Sequence, residues 1–151
     1  TKFLMGMEKT DFRHSVPVQI RFNDIDIAGH VNNAVHLYYY DYGRMHYFNQ
    51  VFRDTINWKV NGLVLVNINV DFLLPIYLEE KIVTDTRIIR IGKKSLEMIQ
   101  QIRPENEPDA VKSRNKSILV GYHYRDNYSF ELPDEWVSCI REFDKDVEIR
   151  R

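Results

Sequence analysis

From His14 onward, Val16, Val18 and Ile20 alternate with polar neighbours, the two-residue period of a strand with one buried face. That pattern predicts a strand over His14 to Phe22. Asn23 to Asn33 interrupts it with a polar loop, in which Gly29 permits a backbone turn closed to other residues. From Ala34 the spacing changes to three and four residues. Tyr38, Tyr42, Met45, Phe48 and Phe52 recur, with Val35 and Tyr39 beside them, along a helix expected to run to about Arg53. So wide an aromatic stripe calls for a broad apolar cover such as a curved sheet.

The rest of the chain reads as four long strands and a short helix. Leu63 to Leu74 stops at Pro75, and Lys81 to Ile91 stops at Gly92. Ser95 to Arg103 ends at a turn-like stretch from Pro104 to Pro108. Ala110 to Tyr124 follows, with Ile118, Val120, Tyr122 and Tyr124 on one alternating face. Ile91 to Ser95 has the length of a hairpin loop, and Pro133 opens a C-terminal helix over about residues 133–143. The sequence has no internal repeat. This order predicts one α+β domain over residues 1–151, with its core over about 14–125. Its antiparallel sheet would have about five strands packed on one long central helix.

Composition narrows the function more than the fold. The chain is 44% hydrophobic and 28% charged, the balance of a soluble globular domain. Its 21 basic and 22 acidic residues leave a net charge of -1, which gathers neither a nucleic acid nor a membrane surface. No run approaches the roughly 20 apolar residues of a spanning helix. The apolar patch in the opening TKFLMGMEKT is too short for a signal-peptide core, so a cytoplasmic location is expected. A single cysteine, Cys139, rules out an intrachain disulfide and a cysteine-based zinc site.

The candidate chemistry lies in Arg21 to Arg44, RFNDIDIAGHVNNAVHLYYYDYGR. A carboxylate just ahead of a helix N-terminus can activate a nucleophile while free helix amides hold a developing oxyanion. Asp26 is the residue in that position, whereas Asp24 suits a buttress accepting backbone hydrogen bonds. Loop aspartates more commonly cap turns, and Asn32 or Asn33 fits a helix N-cap. The run Asp24-x-Asp26-x-Ala28 imitates the start of a calcium loop. Its fifth and twelfth positions are Ala28 and Val35, neither of which has a side-chain oxygen. No HExxH pattern is present, so neither a metal nor another cofactor is expected. The absence of a G-x-S-x-G elbow argues against serine hydrolase chemistry.

These residues carry a resemblance. Asp24-Ile-Asp26, Gly29-His-Val-Asn-Asn33, the tyrosine-rich helix start and Arg44 resemble the hotdog-fold acyl-CoA thioesterases. The similarity is to the 4-hydroxybenzoyl-CoA thioesterase type and its GHVNN-bearing, acyl-carrier-protein-directed relatives. Asp71-Phe-Leu-Leu-Pro75 and Ile91-Gly-Lys-Lys-Ser95 add weaker matches, extending the resemblance over about residues 16–141. The chain departs from the family pattern at His36, where a tyrosine is common, and at Asp41, where a glutamate is.

The resemblance implies hydrolysis of an acyl-CoA or acyl-ACP thioester by a hotdog domain without a cofactor. Asp26 would act as general base or nucleophile, and backbone amides around Val31 to Asn33 would form the oxyanion hole. His30 would either join the catalysis, as in the carrier-protein-directed relatives, or shape the pocket. Asp24 and Tyr38 would border the substrate, and Arg90, Lys93, Lys94 and Ser95, with Arg114 and Lys116, would meet its phosphates. The family further implies a homodimer or homotetramer whose sheets join edge to edge, with sites between subunits. Two rival readings share the fold. One is a hydratase or dehydratase, whose D-x-N-P-x-H motif is not matched here. The other is a non-catalytic acyl-CoA-binding module.

Overall fold

The computed structural model describes residues 12–151; the opening decapeptide weighed above as a signal sequence lies outside them. Strand β1 (His14–Val18) leads through a single 3-10 turn (Phe22–Asp24) to helix α1 (Asn33–Phe52). Strands β2 (Asn61–Phe72), β3 (Ile82–Ile91), β4 (Ser95–Pro104) and β5 (Ser113–His123) follow. Two-residue strands β6 (Tyr128–Ser129) and β7 (Glu148–Ile149) flank helix α2 (Asp134–Phe143). The five main strands run in the order β1-β3-β4-β5-β2, all antiparallel, while β6 pairs with β5 and β7 lies parallel to β3. This is the expected α+β hotdog arrangement, with two short strands that the sequence pattern did not predict.

The first strand ends at Val18 rather than Phe22, because Arg21 to Ile25 curl into the 3-10 turn. On α1 the buried face also differs from the expected stripe. Tyr38, Tyr42 and Met45 are exposed, and His36, Tyr40, Gly43, Arg44, Tyr47 and Val51 are buried beside Tyr39, Phe48 and Phe52. The cause lies in the sheet. Along β5 the buried positions are Ser113, Asn115, Ser117, Leu119 and Gly121, whereas Ile118, Val120 and Tyr122 are only half-buried. Hydroxyls and amides facing inward give polar groups on α1 somewhere to go, so helix amphipathicity is no guide here.

Two apolar clusters sandwich that polar band. One joins Tyr47, Phe52, Ile88, Met98 and Leu119 to Trp136 and Ile140 of α2; the other joins Val31, Tyr39, Tyr40, Ile76, Ile82 and Ile102. The buried Asp144 ends α2 and accepts hydrogen bonds from Tyr47 Oη–H and, at 3.1 Å, Ile88 N–H. The opposite sheet edge, β2, is twelve residues long and has no described strand beyond it.

Helix and sheet meet most closely at Gly43, where an added Cβ would lie 2.5 Å from Thr84 Cγ2 and 3.0 Å from Thr84 Cβ. Thr84 is β-branched and cannot swing aside. Gly43→Ala is therefore expected to destabilise the fold by about 1–3 kcal/mol, despite alanine's better helix propensity, read as a lower urea midpoint.

Candidate active site

Residues 21–33 form a compact loop held by its own hydrogen bonds. Asp26 N–H donates to the His30 carbonyl at 3.0 Å, and Gly29 N–H donates to the Asp26 carbonyl at 3.0 Å. Gly29 takes φ +89°, a region that strains other residues. Val31 N–H reaches the Ile76 carbonyl at 2.8 Å, tying the loop to the segment after β2. Asp24 is the buttress predicted from its position. Its Oδ2 accepts from Arg21 N–H at 2.9 Å and Tyr39 Oη–H at 2.5 Å, and its carbonyl accepts from Asn32 N–H at 2.9 Å. Burial and the Asp24 carboxylate together push the Tyr39 phenol well above its usual range, keeping it a donor.

The Asp26 carboxylate sits at the start of α1. Oδ1 accepts from Ala28 N–H at 2.9 Å, and Oδ2 accepts from Asn32 Nδ2–H at 3.3 Å. Asn32 is the N-cap, its Oδ1 accepting from Ala34 N–H at 2.8 Å. Asn33 N–H has no hydrogen-bond partner among the described residues. The first amides of a helix lack internal acceptors, and the helix dipole favours negative charge beside them. A carboxylate and an uncommitted N–H thus share one helix terminus.

His30 is not bonded to Asp26. Its Nδ1 lies 3.5 Å from the Val31 carbonyl, and its ring packs edge-on to Tyr77 at 6.5 Å. His30 and Asn33 line a hollow of about 260 Å³ with Val31, His36, Phe72 and the 73–75 segment. Asp24 and Tyr38 border a separate hollow of about 500 Å³ on the other side of α1, with Arg21 and Tyr42. Ile27, Phe22 and Tyr77 stand exposed around the Asp26 loop, an uncovered apolar rim.

The expected phosphate-binding residues are elsewhere. Lys93 and Lys94 occupy the β3–β4 hairpin, and the ten residues of β3 put about 30 Å between that hairpin and the Asp26 end. Lys93 faces Glu131 at 3.3 Å, and Arg90 lies between Glu97 at 3.2 Å and Glu148 at 3.6 Å. Ser95 closes the hairpin by accepting Gly92 N–H at 2.7 Å through its carbonyl. Within one chain these four residues do not meet Asp26. No group of three or more metal-ligating side chains occurs among the described residues.

Sequence reading left His36 without a role. It is buried on α1, with Nδ1 2.8 Å from Ser113 Oγ, its ring edge-on to Phe72 at 5.0 Å, and Tyr40 Oη 2.5 Å from the same serine oxygen. Ser113 lies 77 residues away in sequence, so no local signal links the pair. Burial, reinforced by His30, holds the His36 imidazole down at about 4, leaving it neutral above that pH.

A five-stranded antiparallel core wrapping one long helix, with a carboxylate at that helix's N-terminus, defines a hotdog domain. Residues 20–140 match the thioesterase-like superfamily, and the chain belongs to that family of thioester hydrolases. Among solved structures, it is similar to a thioesterase complexed with coenzyme A and Zn from Thermus thermophilus. The identity is 29% and the TM-score 0.79, over 92% of this chain and 98% of that one. A 1,4-dihydroxy-2-naphthoyl-CoA thioesterase from Synechocystis shares the fold at 18% identity and TM-score 0.73, covering 87% and 97% of the two chains. A hypothetical protein from Staphylococcus aureus in complex with CoA does so at 13% and 0.78, covering 88% and 84%. No curated protein matches the chain.

The neutral His36 has a measurable consequence. Its folded-state value of about 4 lies below the unfolded value of 6.5, so the unfolded chain binds the extra proton between them. The stabilising contribution is complete above pH 6.5 and lost as pH falls towards 4, amounting to about 3 kcal/mol. Chemical denaturation at pH 7 and 4.5 should show a smaller pH dependence in His36→Phe than in the unmodified protein.

Proposed function

We propose that the protein hydrolyses acyl-CoA or acyl-ACP thioesters, with Asp26 as general base or nucleophile and the first amides of α1 as oxyanion hole. The observation supporting this is the Asp26 carboxylate held beside the uncommitted Asn33 N–H at one helix terminus. In the general-base form, Asp26 takes a proton from water and the oxygen adds to the thioester carbonyl. The resulting oxyanion accepts from Asn33 N–H. Collapse breaks the C–S bond, and the thiolate leaves with a proton returned from Asp26. His30, lining the adjacent hollow, positions the acyl group or exchanges a proton with the leaving sulfur.

The site is finished by a second chain. Among the described residues no further strand pairs with the β2 edge, which carries an exposed Val66, an arrangement that invites pairing with another strand. Antiparallel pairing of β2 with its copy sets each Phe72 end beside the partner's Asn61 end. That moves the partner's β3–β4 hairpin to the Asp26 end of the joined sheet. Lys93, Lys94 and Ser95 then meet a coenzyme from across the interface. CoA complexes of similar fold support coenzyme A as the carrier.

Thiol release from a panel of acyl-CoAs tests the chemistry. Asp26→Asn is expected to lower kcat/KM by about 10²-fold or more for every member hydrolysed. Undiminished hydrolysis in that variant would remove Asp26 from the mechanism. Sedimentation of the protein should give a multiple of the 18.1 kDa chain mass; a monomer retaining full activity would refute the shared site.

A further inference from the structure

The direction of one buried chain of hydrogen bonds decides what His36 shows to the candidate site. Tyr40 is wholly buried, and burial pushes its phenol above the usual range, so it keeps its proton. Among the described residues that O–H has one partner, Ser113 Oγ at 2.5 Å, so the tyrosine donates and the serine accepts. The Ser113 proton then has one acceptor beside it, His36 Nδ1 at 2.8 Å. In the reverse direction an Nδ1–H would point at the serine oxygen. Either the serine or the tyrosine proton would then be left in the core without an acceptor. Nδ1 is therefore the acceptor, and the neutral imidazole carries its proton on Nε2.

Nε2 has no hydrogen bond to a described residue, yet it is not one of the polar atoms sealed in the core. It opens onto the hollow of about 260 Å³ that the ring lines together with His30 and Asn33. Asn33 and His36 stand three residues apart on one face of α1, about 5–6 Å between their Cβ atoms. Helical side chains lean towards the helix N-terminus, which carries the His36 ring back over the turn that begins at Asn33. Val31, Phe72, Leu73, Leu74 and Pro75 give the remainder of the hollow an apolar wall. His36 thus offers this space a donor and no acceptor, within one turn of the Asn33 amide.

We propose that His36 Nε2–H donates a hydrogen bond to a carbonyl oxygen on C3 of the acyl group, selecting 3-oxoacyl thioesters over plain acyl thioesters. The short spacing between the two donors places that oxygen near the thioester, on C3 rather than far along the chain. A carbonyl oxygen accepts without bringing a proton that needs an acceptor of its own, as a hydroxyl there would. A carboxylate would give up its hydration beside a neutral donor and an apolar wall, which is costly. The inference rests on the thioesterase reading above and adds a substrate class to it.

The test compares thiol release from acetoacetyl-CoA and butyryl-CoA, whose acyl groups differ only by the oxygen on C3. The unmodified protein is expected to favour acetoacetyl-CoA by about 10-fold or more in kcat/KM, and His36→Phe to lose that preference. Loosened packing lowers both rates together and leaves their ratio unmoved, so the ratio separates recognition from structure. Should His36→Phe fail to fold, Ser113→Ala makes the same test. It removes the proton held at Nδ1, lets the ring take either tautomer, and should cut the ratio several-fold. Equal rates in the unmodified protein, or a preference that persists in the folded variant, overturn the proposal. Hydrolysis of other acyl-CoAs with none of acetoacetyl-CoA also overturns it, and leaves the thioesterase reading standing. No thiol released from any acyl-CoA or acyl-ACP overturns that reading, and this inference with it.

Discussion

The contact between α1 and the sheet at Gly43 and Thr84 governs the rest of the molecule. A helix of twenty residues is about 30 Å long, so its position on the sheet decides what lies at both of its ends. Pressed down at Gly43, it places its C-terminal half over Ile88, Met98 and Leu119, where α2 closes the core with Trp136 and Ile140. Its N-terminus stands over Val31, Ile76, Ile82 and Ile102, which hold the Asp26 loop from beneath. The loop then needs few contacts of its own. Asp24, Tyr39 and the Val31–Ile76 bond fix it, leaving Asp26 to face the helix terminus.

The same contact explains why the buried surface is not uniformly apolar. A helix held so near the sheet brings backbone carbonyls of Tyr39 and Tyr40 within reach of Thr84 and Gln100 side chains. Those bonds anchor the helix in rotation as well as height, which apolar packing alone specifies poorly. They also force Arg44 and His36 inward. His36 is accommodated as a neutral imidazole on Ser113, and burial lowers Arg44 from its ordinary value while Asp41 opposes that effect.

Much of this could be read from the chain, and the failures have one cause. The main strands could be anticipated because they alternate or end at Pro and Gly, and the sheet-on-helix arrangement because the loop motif resembles that of the hotdog family. The loop-to-helix junction at Asn32 was legible through its capping residues, which act over two or three positions. The inward face of α1 was not. Its residues are chosen by partners 45 to 77 positions away, such as Thr84, Gln100 and Ser113, and hydropathy ranks Tyr38 and Met45 above His36 and Arg44. The position of the hairpin lysines relative to Asp26 was not legible for a related reason. Sequence spacing carries no information about which end of a sheet a loop occupies, or about what a second chain brings beside it.

Shared fold does not assign chemistry, because many functions can occupy one scaffold. In the proposed mechanism the oxyanion donors are backbone groups. An N–H at a helix start is there in any sequence that forms the helix, so the selective elements are those that keep it uncommitted. Asn32 caps the neighbouring Ala34 N–H through its Oδ1 and leaves that of Asn33 without a partner among the described residues, while its Nδ2 holds Asp26 nearby. One asparagine therefore links the cap, the carboxylate and the vacant donor. Its two amide ends are not interchangeable, since only the oxygen can cap and only the nitrogen can hold a carboxylate. An aspartate in its place would still cap the helix but would repel Asp26. This makes Asn32 a structural requirement of the loop–helix junction, independent of the chemistry proposed for it.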